Sequence, residues 1–412
     1  MRKKMVFFTV GLLIWGQAMS YGALSLQDLR LPKNFFPSQI SHATINSVQE
    51  DPEFPGFLKF VVFEPHGRYI VEGLADLRQC LHEIDVIEQL DSSESTGGDV
   101  AEGAVDSLKD TGTGLKNLVV HPVDSVEGIG KGIGKLGGKI GDFFGGEEEG
   151  EKSSMGESFL GSTKRKLAKQ LGVDVYSRNP DLQRRLEKIT KARMGGRGAA
   201  MVAELLLPVG FLASVVLTAS GINSAADQLV NDNSRGDLYK LNEKALMKSG
   251  FSQSKVIRLL NRSYYTPREL TYLRFYFEKF QGIPGSRTLM DAAIAATPGV
   301  PAQKLLHEMQ IAADSMTTMP DVTEIRLTSE GIILERTSTV ILITGYDYLD
   351  VSKFGKKIAD YASGLRLKLG KRSVEIWNAG NLSLGFTALL LTKGIQYRRM
   401  CLFGKTMAAE QP

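Results

Sequence analysis

The segment TVILITGYDYLDVSKFGKKIADYASGLRLKLGKRSVEIWNAGNLS, residues 339–383, decides the fold of the C-terminal part of the chain. Two apolar runs rich in β-branched residues flank a stretch in which apolar residues recur at helical spacing. This order of strand, helix and strand predicts a small α/β module with a mostly parallel sheet. A hairpin in VTEIRLTSEGIILERT before it, and LGFTALLLTKG and IQYRRMCLF after it, extend the predicted module over 321–403.

Polar residues stand at the predicted ends of both strands. Thr344 and Asp347 follow the first strand, and Asn378 and Asn381 follow the second. Ligands of open α/β sheets bind beyond the carboxyl ends of the strands, so these four residues are where a ligand pocket is expected, if the chain has one. The alternative interpretation is that they only form turns.

The rest of the chain is predicted to be mainly helical. Residues 158–320 contain short periodic segments separated by Gly, Pro and Ser, which indicates an array of short helices. Residues 54–90 predict a β-hairpin around EPHG, followed by a helix in which His82 is interpreted as a surface residue. The fold class expected from these patterns is α+β, predominantly helical.

Two segments poor in large apolar side chains separate these parts. Residues 91–117 are small and acidic, and residues 147–157 contain EEEGEKSS, so both are predicted to be linkers. Between them lies a glycine-rich amphipathic segment, LVVHPVDSVEGIGKGIGKLGGKIGDFFGG, residues 118–146. It is therefore tethered on both sides.

The glycine-rich segment carries apolar residues, lysines and glycines on three helical stripes. Glycine costs roughly 1 kcal/mol per position against alanine, so we expect a helix that forms only on contact with a membrane surface or a protein partner. Internal packing and a mere flexible tether are the two alternatives. The expected contact residues are Ile129, Lys131, Ile133, Lys135, Leu136, Lys139, Ile140, Phe143 and Phe144.

The N-terminus predicts export. Residues 1–22 combine Arg2, Lys3 and Lys4 with a short apolar run and small residues, which is typical of a secretory signal peptide, with an uncleaved anchor as the alternative. The expected location is the periplasm, with peripheral membrane association. In an oxidising compartment Cys80 and Cys401 are candidates for one disulfide, and two buried thiols are the alternative.

Two further stretches bear on membrane contact. Residues 199–222 are long and apolar enough for a bilayer, but Glu204 and Pro208 favour a buried, kinked helix over insertion. Residues 162–198 contain eleven Lys and Arg but only three Asp and Glu. This excess predicts a basic helical face that contacts an anionic partner, and the alternative is an ordinary solvent-exposed helix face. For an exported chain, an anionic membrane surface or an envelope protein is the expected partner, and nucleic acid is not.

No catalytic motif stands out in the sequence, and no cofactor or metal is expected. The favoured function is that of an exported, non-catalytic envelope protein which makes contact through 118–146 and the basic face. One alternative is an enzyme of unfamiliar type with its site at the strand ends of the α/β module. Another is an effector that inserts residues 199–222 into a membrane.

Three motifs together resemble a family of exported bacterial proteins of uncharacterised activity. They are the LVVHPVDSVEGIGKGIG segment, the stretch LAKQLGVDVYSRNPDLQ and the C-terminal strand IWNAGNLS at 376–383. The resemblance covers most of residues 68–400. It implies a shared organisation and carries no activity with it.

Overall fold

The computed structural model describes residues 43–64, 67–96, 159–194 and 221–400, together with Leu24, Leu26 and Leu29. Several predictions fall outside these residues and are not tested by the structure. They concern the signal peptide 1–22, the glycine-rich segment 118–146, the linkers beyond Thr96, almost all of the apolar run 199–222, and Cys401.

The N-terminal unit is a three-stranded antiparallel sheet with a helix packed on one face. Its strands β1 (Thr44–Glu50), β2 (Leu58–Glu64) and β3 (Gly67–Glu72) lie in that order, and helix α1 (Leu74–Thr96) follows. The predicted hairpin is β2–β3, whereas β1 was not predicted because TINSVQE has few apolar residues. Helix α1 continues to Thr96 and so includes the first six residues of the predicted linker 91–117.

The core of this unit lies between the sheet and α1. Phe60 and Val62 of β2 are fully buried against Leu77 and Leu81 of α1. Each such side chain contributes roughly 1.5–3 kcal/mol relative to an exposed one. The alternation along β2 leaves Phe63 on the opposite face, where 42 % of it is exposed.

The central part is an array of short helices, as predicted. Thr266 begins one of them with a capping box in which its side chain accepts from Glu269 N and the Glu269 carboxylate accepts from Thr266 N. The described helices are α2 (Phe159–Leu171), α3 (Pro180–Met194), α4 (Gly221–Asp232), α5 (Arg235–Lys248), α6 (Gln253–Leu260), α7 (Pro267–Lys279), α8 (Arg287–Ala295) and α9 (Val300–Met316).

The first four helices share one apolar core. Leu90 of α1, Leu167 of α2, Leu186 of α3 and Val230 of α4 are buried together in it. We call α1, α2, α3 and α4 the four-helix cluster. Two long internal stretches, 97–158 and 195–220, lie outside the described residues. Each of them connects two helices of this cluster, α1 to α2 and α3 to α4.

The C-terminal module has a mixed five-stranded sheet in the order β10-β8-β6-β5-β4. Its elements are β4 (Glu324–Leu327), β5 (Ile332–Glu335), β6 (Thr339–Thr344), β7 (Tyr348–Leu349), α10 (Lys353–Lys368), β8 (Ser373–Asn378), β9 (Asn381–Leu382), α11 (Leu384–Thr392) and β10 (Gln396–Arg399). Strands β6, β8 and β10 are parallel, but β4 and β5 add to β6 in antiparallel pairs. The mostly parallel sheet was therefore a wrong prediction, because short turns join the β4–β5–β6 strands. The predicted α+β class with helical predominance is confirmed.

Helices cover both faces of this sheet. Ile341 and Ile343 of β6 face the core shared with α8 and α9, whereas Val340 and Leu342 face α10 and α11. All four are completely buried, as expected for strands covered on both faces. Among the described residues, none of the helices combines the length and hydropathy needed to cross a bilayer.

Candidate functional site

The carboxyl ends of β6 and β8 bring the predicted pocket residues together. Thr344 and Asn378 are opposite each other in register, and the Thr344 hydroxyl donates to Asn378 Oδ1 at 2.8 Å. Both side chains are fully buried. Their proximity follows from the parallel pairing of the two strands, which end at the same edge of the sheet.

Asp347 uses both carboxylate oxygens on the backbone of the N-terminal unit. Its Oδ2 accepts from Leu58 N at 3.0 Å, and its Oδ1 accepts from Leu74 N at 2.9 Å. Leu74 is the first residue of α1, so Asp347 satisfies an N–H that the helix itself cannot. This one side chain ties together the beginning of β2, the beginning of α1 and the strand ends of the C-terminal module.

The loop before β2 occupies the space beyond the strand ends. Gly56 O accepts from the backbone N–H groups of Asp347 and Tyr348, at 2.9 and 3.1 Å. Phe57 packs edge-on against Tyr346, with 5.5 Å between ring centroids. Gly56 has φ +86°, and a Cβ at that position would lie 2.9 Å from the Tyr346 ring. Only glycine fits this backbone and this approach.

The fourth predicted residue, Asn381, also forms its hydrogen bond within the chain. Asn381 is buried, and its side-chain amide donates to the carbonyl of Leu29. At Gly380 a Cβ would lie 2.0 Å from the Asp347 carbonyl oxygen, so the two segments are in direct contact. The four residues thus lie close together, but their side-chain hydrogen bonds go to each other and to the N-terminal part of the chain.

Three carboxyl groups on or beside α1 have raised pKa values, and two of them, Glu83 and Asp347, are buried. Burial raises the pKa of Asp347 to about 7, although its two backbone hydrogen bonds oppose the shift. Burial likewise raises the pKa of Asp76 to about 6, against the nearby Arg178 guanidinium and a 2.6 Å hydrogen bond from Gln303. It raises the pKa of Glu83 to about 7, against hydrogen bonds from Ser177 and from Gln79. Groups of this kind occur both in active sites and in structural networks.

The motif LGVDVYSRNPDLQ, residues 171–183, makes structural contacts along its length. Asn179 Oδ1 accepts from Asp181 N at 3.0 Å and caps α3. Gln183 is buried and donates to the carbonyls of Val175 and Ser177, at 3.0 Å each. These contacts form the turn between α2 and α3, so the residue types of the motif are accounted for by this turn and need no ligand.

Two arginines connect this turn to α4 and α7. Arg178 donates to Glu269 at 2.6 Å and to the Tyr264 carbonyl at 2.7 Å. Arg268 pairs with Asp227 at 2.8 Å and with Asp174 at 3.6 Å. Burial raises the pKa of Asp174 and the Arg268 guanidinium opposes that shift. These pairs hold the four-helix cluster against the remaining helices.

The predicted basic face is partly neutralised. Five of its cations form ion pairs with neighbouring carboxylates, and Arg165 is buried. The paired cations are Lys169, Arg178, Arg184, Arg185 and Lys191. Their charge is therefore largely balanced within the fold. The basic face is a weaker electrostatic feature than the composition of residues 162–198 predicted.

His82 was wrongly interpreted as a surface residue. It is buried on α1, and its Nε2 donates to the Gly172 carbonyl at 3.1 Å. Burial lowers the pKa of His82 to about 4, so the ring is neutral at pH 7. Its position on α1 alone, without its neighbours from α2, gave no sign of this burial.

We expect replacement of Glu83 by glutamine to flatten the dependence of stability on pH. The folded pKa of Glu83 is about 7, above its ordinary value of 4.5, so the folded state binds a proton that the unfolded state has lost. The contribution of Glu83 to stability is consequently largest below pH 4.5. It falls as the pH rises towards 7, by at most about 1.4 kcal/mol per pH unit.

Urea denaturation of the full chain and of Glu83→Gln between pH 4.5 and 8 measures this effect. The variant should gain stability relative to the wild type as the pH rises. His82 titrates in the opposite direction but is present in both proteins, so it cancels in the difference. A constant difference across this range would contradict the assignment.

The possible disulfide is not tested, since Cys80 lies on α1 and Cys401 outside the described residues. Within the described ranges, no group of three or more His, Cys, Asp or Glu side chains is arranged to hold a metal ion. The candidate site is thus a buried contact between the two ends of the chain. No family model, curated protein or solved structure matches the chain, so the resemblance to exported bacterial proteins stays a prediction.

Proposed function

We propose that the protein is an exported, non-catalytic protein of the bacterial periplasm. In this proposal it contacts an anionic membrane surface, or a protein partner at that surface, through the glycine-rich segment 118–146. The observation that carries the proposal is the position of the helices from which this segment departs. The directions of those helices follow from a few contacts within the four-helix cluster.

Helices α1 and α3 run in the same direction. Glu83, in the middle of α1, accepts hydrogen bonds from Ser177 and Asn179 just before α3, and Arg185 along α3 donates to Asp91 further along α1 at 2.7 Å. Successive contacts in the same order along both helices require parallel directions. The ends of α1 and α3, at Thr96 and Met194, therefore lie towards the same side of the cluster.

Helices α2 and α4 run in opposite directions. Arg268 pairs both with Asp174, just after the end of α2, and with Asp227 in the middle of α4. Lys169 and Asp232, in the last turns of α2 and α4, form an ion pair at 3.2 Å. The contacts of α4 thus move from Asp174 back to Lys169 as α4 advances from Asp227 to Asp232, so only the ends of α1 and α3 are placed on a common side.

Both stretches whose sequences suit membrane contact consequently depart from one side of the cluster. One contains the glycine-rich segment, and the other contains the apolar run 199–222. A common side of departure would let both stretches meet the same surface. The internal ion pairs of the basic face leave the lysines of the glycine-rich segment as the main cations in this proposal.

The alternative of an enzyme has less support. Its expected residues Thr344, Asp347, Asn378 and Asn381 are buried and hydrogen-bonded to the chain itself. A substrate would have to displace the loop before β2. The alternative of a membrane-inserting effector concerns residues 199–222, which lie almost wholly outside the described residues.

Replacing Lys131, Lys135 and Lys139 by glutamine should weaken binding of the full chain to anionic vesicles. Each lysine near an anionic surface contributes about 1 kcal/mol, so the three together account for about 100-fold in affinity at low salt. Co-sedimentation with phosphatidylcholine vesicles, with and without phosphatidylglycerol, measures the effect. Rising salt should weaken wild-type binding.

A matched control is present on α5. Lys240, Lys244 and Lys248 are exposed, have the same spacing as the lysines of the glycine-rich segment, and remove the same charge when changed to glutamine. This control should bind vesicles almost as well as the wild type. Equal losses in the two triple variants would mean that only net charge matters. Absence of wild-type binding to any vesicle would reject the membrane proposal and leave a protein partner or internal packing.

A further inference from the structure

An apolar stripe is exposed on the outer side of α11. This helix, LGFTALLLT, has no charged residue. Its inner side chains Phe386 and Leu390 are completely buried, whereas Leu384 is 62 % exposed and Leu391 is 51 % exposed. Positions 384, 388 and 391 follow helical spacing, so Ala388 completes the stripe. A helix that is apolar on all sides normally has a partner on each of them.

The stripe continues onto the turn before α10. Val351 is 45 % exposed, and its Cγ1 would lie 3.2 Å from a Cβ at Gly385, so it lies against the first turn of α11. At the other end of α11, Lys393 pairs with Asp360 of α10 at 2.7 Å. The exposed apolar surface therefore extends along α11 from Val351 to the neighbourhood of this ion pair.

Lysines lie beside this stripe. Lys353, Lys356 and Lys357 are exposed on the first turns of α10, where with Asp360 and Tyr361 they line an open hollow of about 630 Å³. Within the described part of the chain, neither Lys353 nor Lys356 has an ion-pair partner. The carboxylate of Asp360 is paired with Lys393, so positive charge predominates here.

We propose that this surface, formed by Val351, Leu384, Ala388 and Leu391 together with Lys353 and Lys356, binds an anionic phospholipid surface. We call it the α10–α11 face. Apolar side chains bordered by lysines are the combination that buries in the interface of a bilayer while the cations meet anionic headgroups. The face involves none of the residues of the glycine-rich segment, so it is a second and independent contact.

A second copy of the chain is a poorer occupant of the same surface. In a twofold interface the same patch faces itself, so the lysines of the two copies would lie close together. Like charges brought together in this way oppose association. An anionic surface has the complementary charge.

The test replaces Leu384 and Leu391 of the full chain by aspartate. Both side chains are exposed, so the fold should be retained, which circular dichroism checks. Binding to vesicles that contain phosphatidylglycerol should fall by about tenfold or more, since two apolar side chains can no longer bury. The matched control replaces Leu241 and Met247, which are 38 % and 42 % exposed on α5, by aspartate and should bind like the wild type.

Two further variants separate this proposal from the one on the glycine-rich segment. In a chain that already carries glutamine at Lys131, Lys135 and Lys139, the aspartates in α11 should still reduce the remaining binding. Replacing Lys353 and Lys356 by glutamine should reduce binding without altering the apolar stripe. If this lysine variant and the aspartate variant both bind like the wild type, the α10–α11 face is rejected. Conversion of a dimer into a monomer by the aspartates in the absence of vesicles would also overturn it.

Discussion

Replacing Asp347 by alanine is expected to lower the free energy of unfolding by about 2–6 kcal/mol. The change leaves the backbone N–H groups of Leu58 and Leu74 buried without an acceptor, and each such loss costs about 1–3 kcal/mol. No water can easily replace the carboxylate, because the Asp347 side chain lies in a buried contact. Urea or thermal unfolding of the full chain measures the effect.

Two variants make this result specific. Asp347→Asn retains one acceptor oxygen and should lose about half as much stability. Asp350→Ala removes an acceptor that serves Ser352 N in a partly exposed turn, and should cost about 1 kcal/mol or less. Equal losses for Asp347→Ala and Asp350→Ala would mean that the contact between the two ends of the chain contributes little to stability.

Replacing Arg268 by alanine is expected to cost about 3 kcal/mol. The arginine lies between Asp174 and Asp227 and also stacks over the Tyr272 ring at 5.3 Å. Removing the cation leaves two neighbouring carboxylates without a positive charge between them. Loss of one partner of a buried ion pair is strongly destabilising for this reason. Thermal unfolding at pH 7 measures the loss.

The control is another arginine of the same helix. Arg274 pairs with Glu278 one turn along α7, and the Glu278 side chain is 34 % exposed. Such pairs contribute less than about 1 kcal/mol, so Arg274→Ala should be much milder. At pH 4 the difference between the two variants should shrink, because burial raises the pKa of Asp174 and the protonated carboxyl no longer needs the cation. A difference that stays constant down to that pH would contradict the role given to the two carboxylates.

The sequence predicts the local elements and one part of the candidate site. Periodicity alone places the helices of 158–320 and the strands around Thr344 and Asn378. Parallel strands end at one edge, so the proximity of these two residues could be expected. What occupies that edge could not be expected, because the groups bonded to Asp347 are backbone N–H groups, which every residue except proline offers.

The mixed sheet and the buried polar groups depend on tertiary contacts. Asp76, His82 and Glu83 lie on one helix, and their residue types usually indicate a solvent-exposed position. The burial of His82 and Glu83 results from the turn after α2, and Asp76 accepts from Gln303 of α9; the pattern of α1 contains neither contact. Strand β1 was missed for a similar reason, since only its pairing with β2 makes it a strand.

The contact of Asp347 also sets the order in which the protein can be completed. Leu58 and Leu74 precede Asp347 by 289 and 273 residues, so the N-terminal sheet is synthesised long before its acceptor exists. At about 5–20 residues per second, the ribosome needs roughly 15–60 s to add the intervening chain. During that time β2 and α1 have two donors without their native partner. These early residues are thus among the last to reach their final hydrogen bonding.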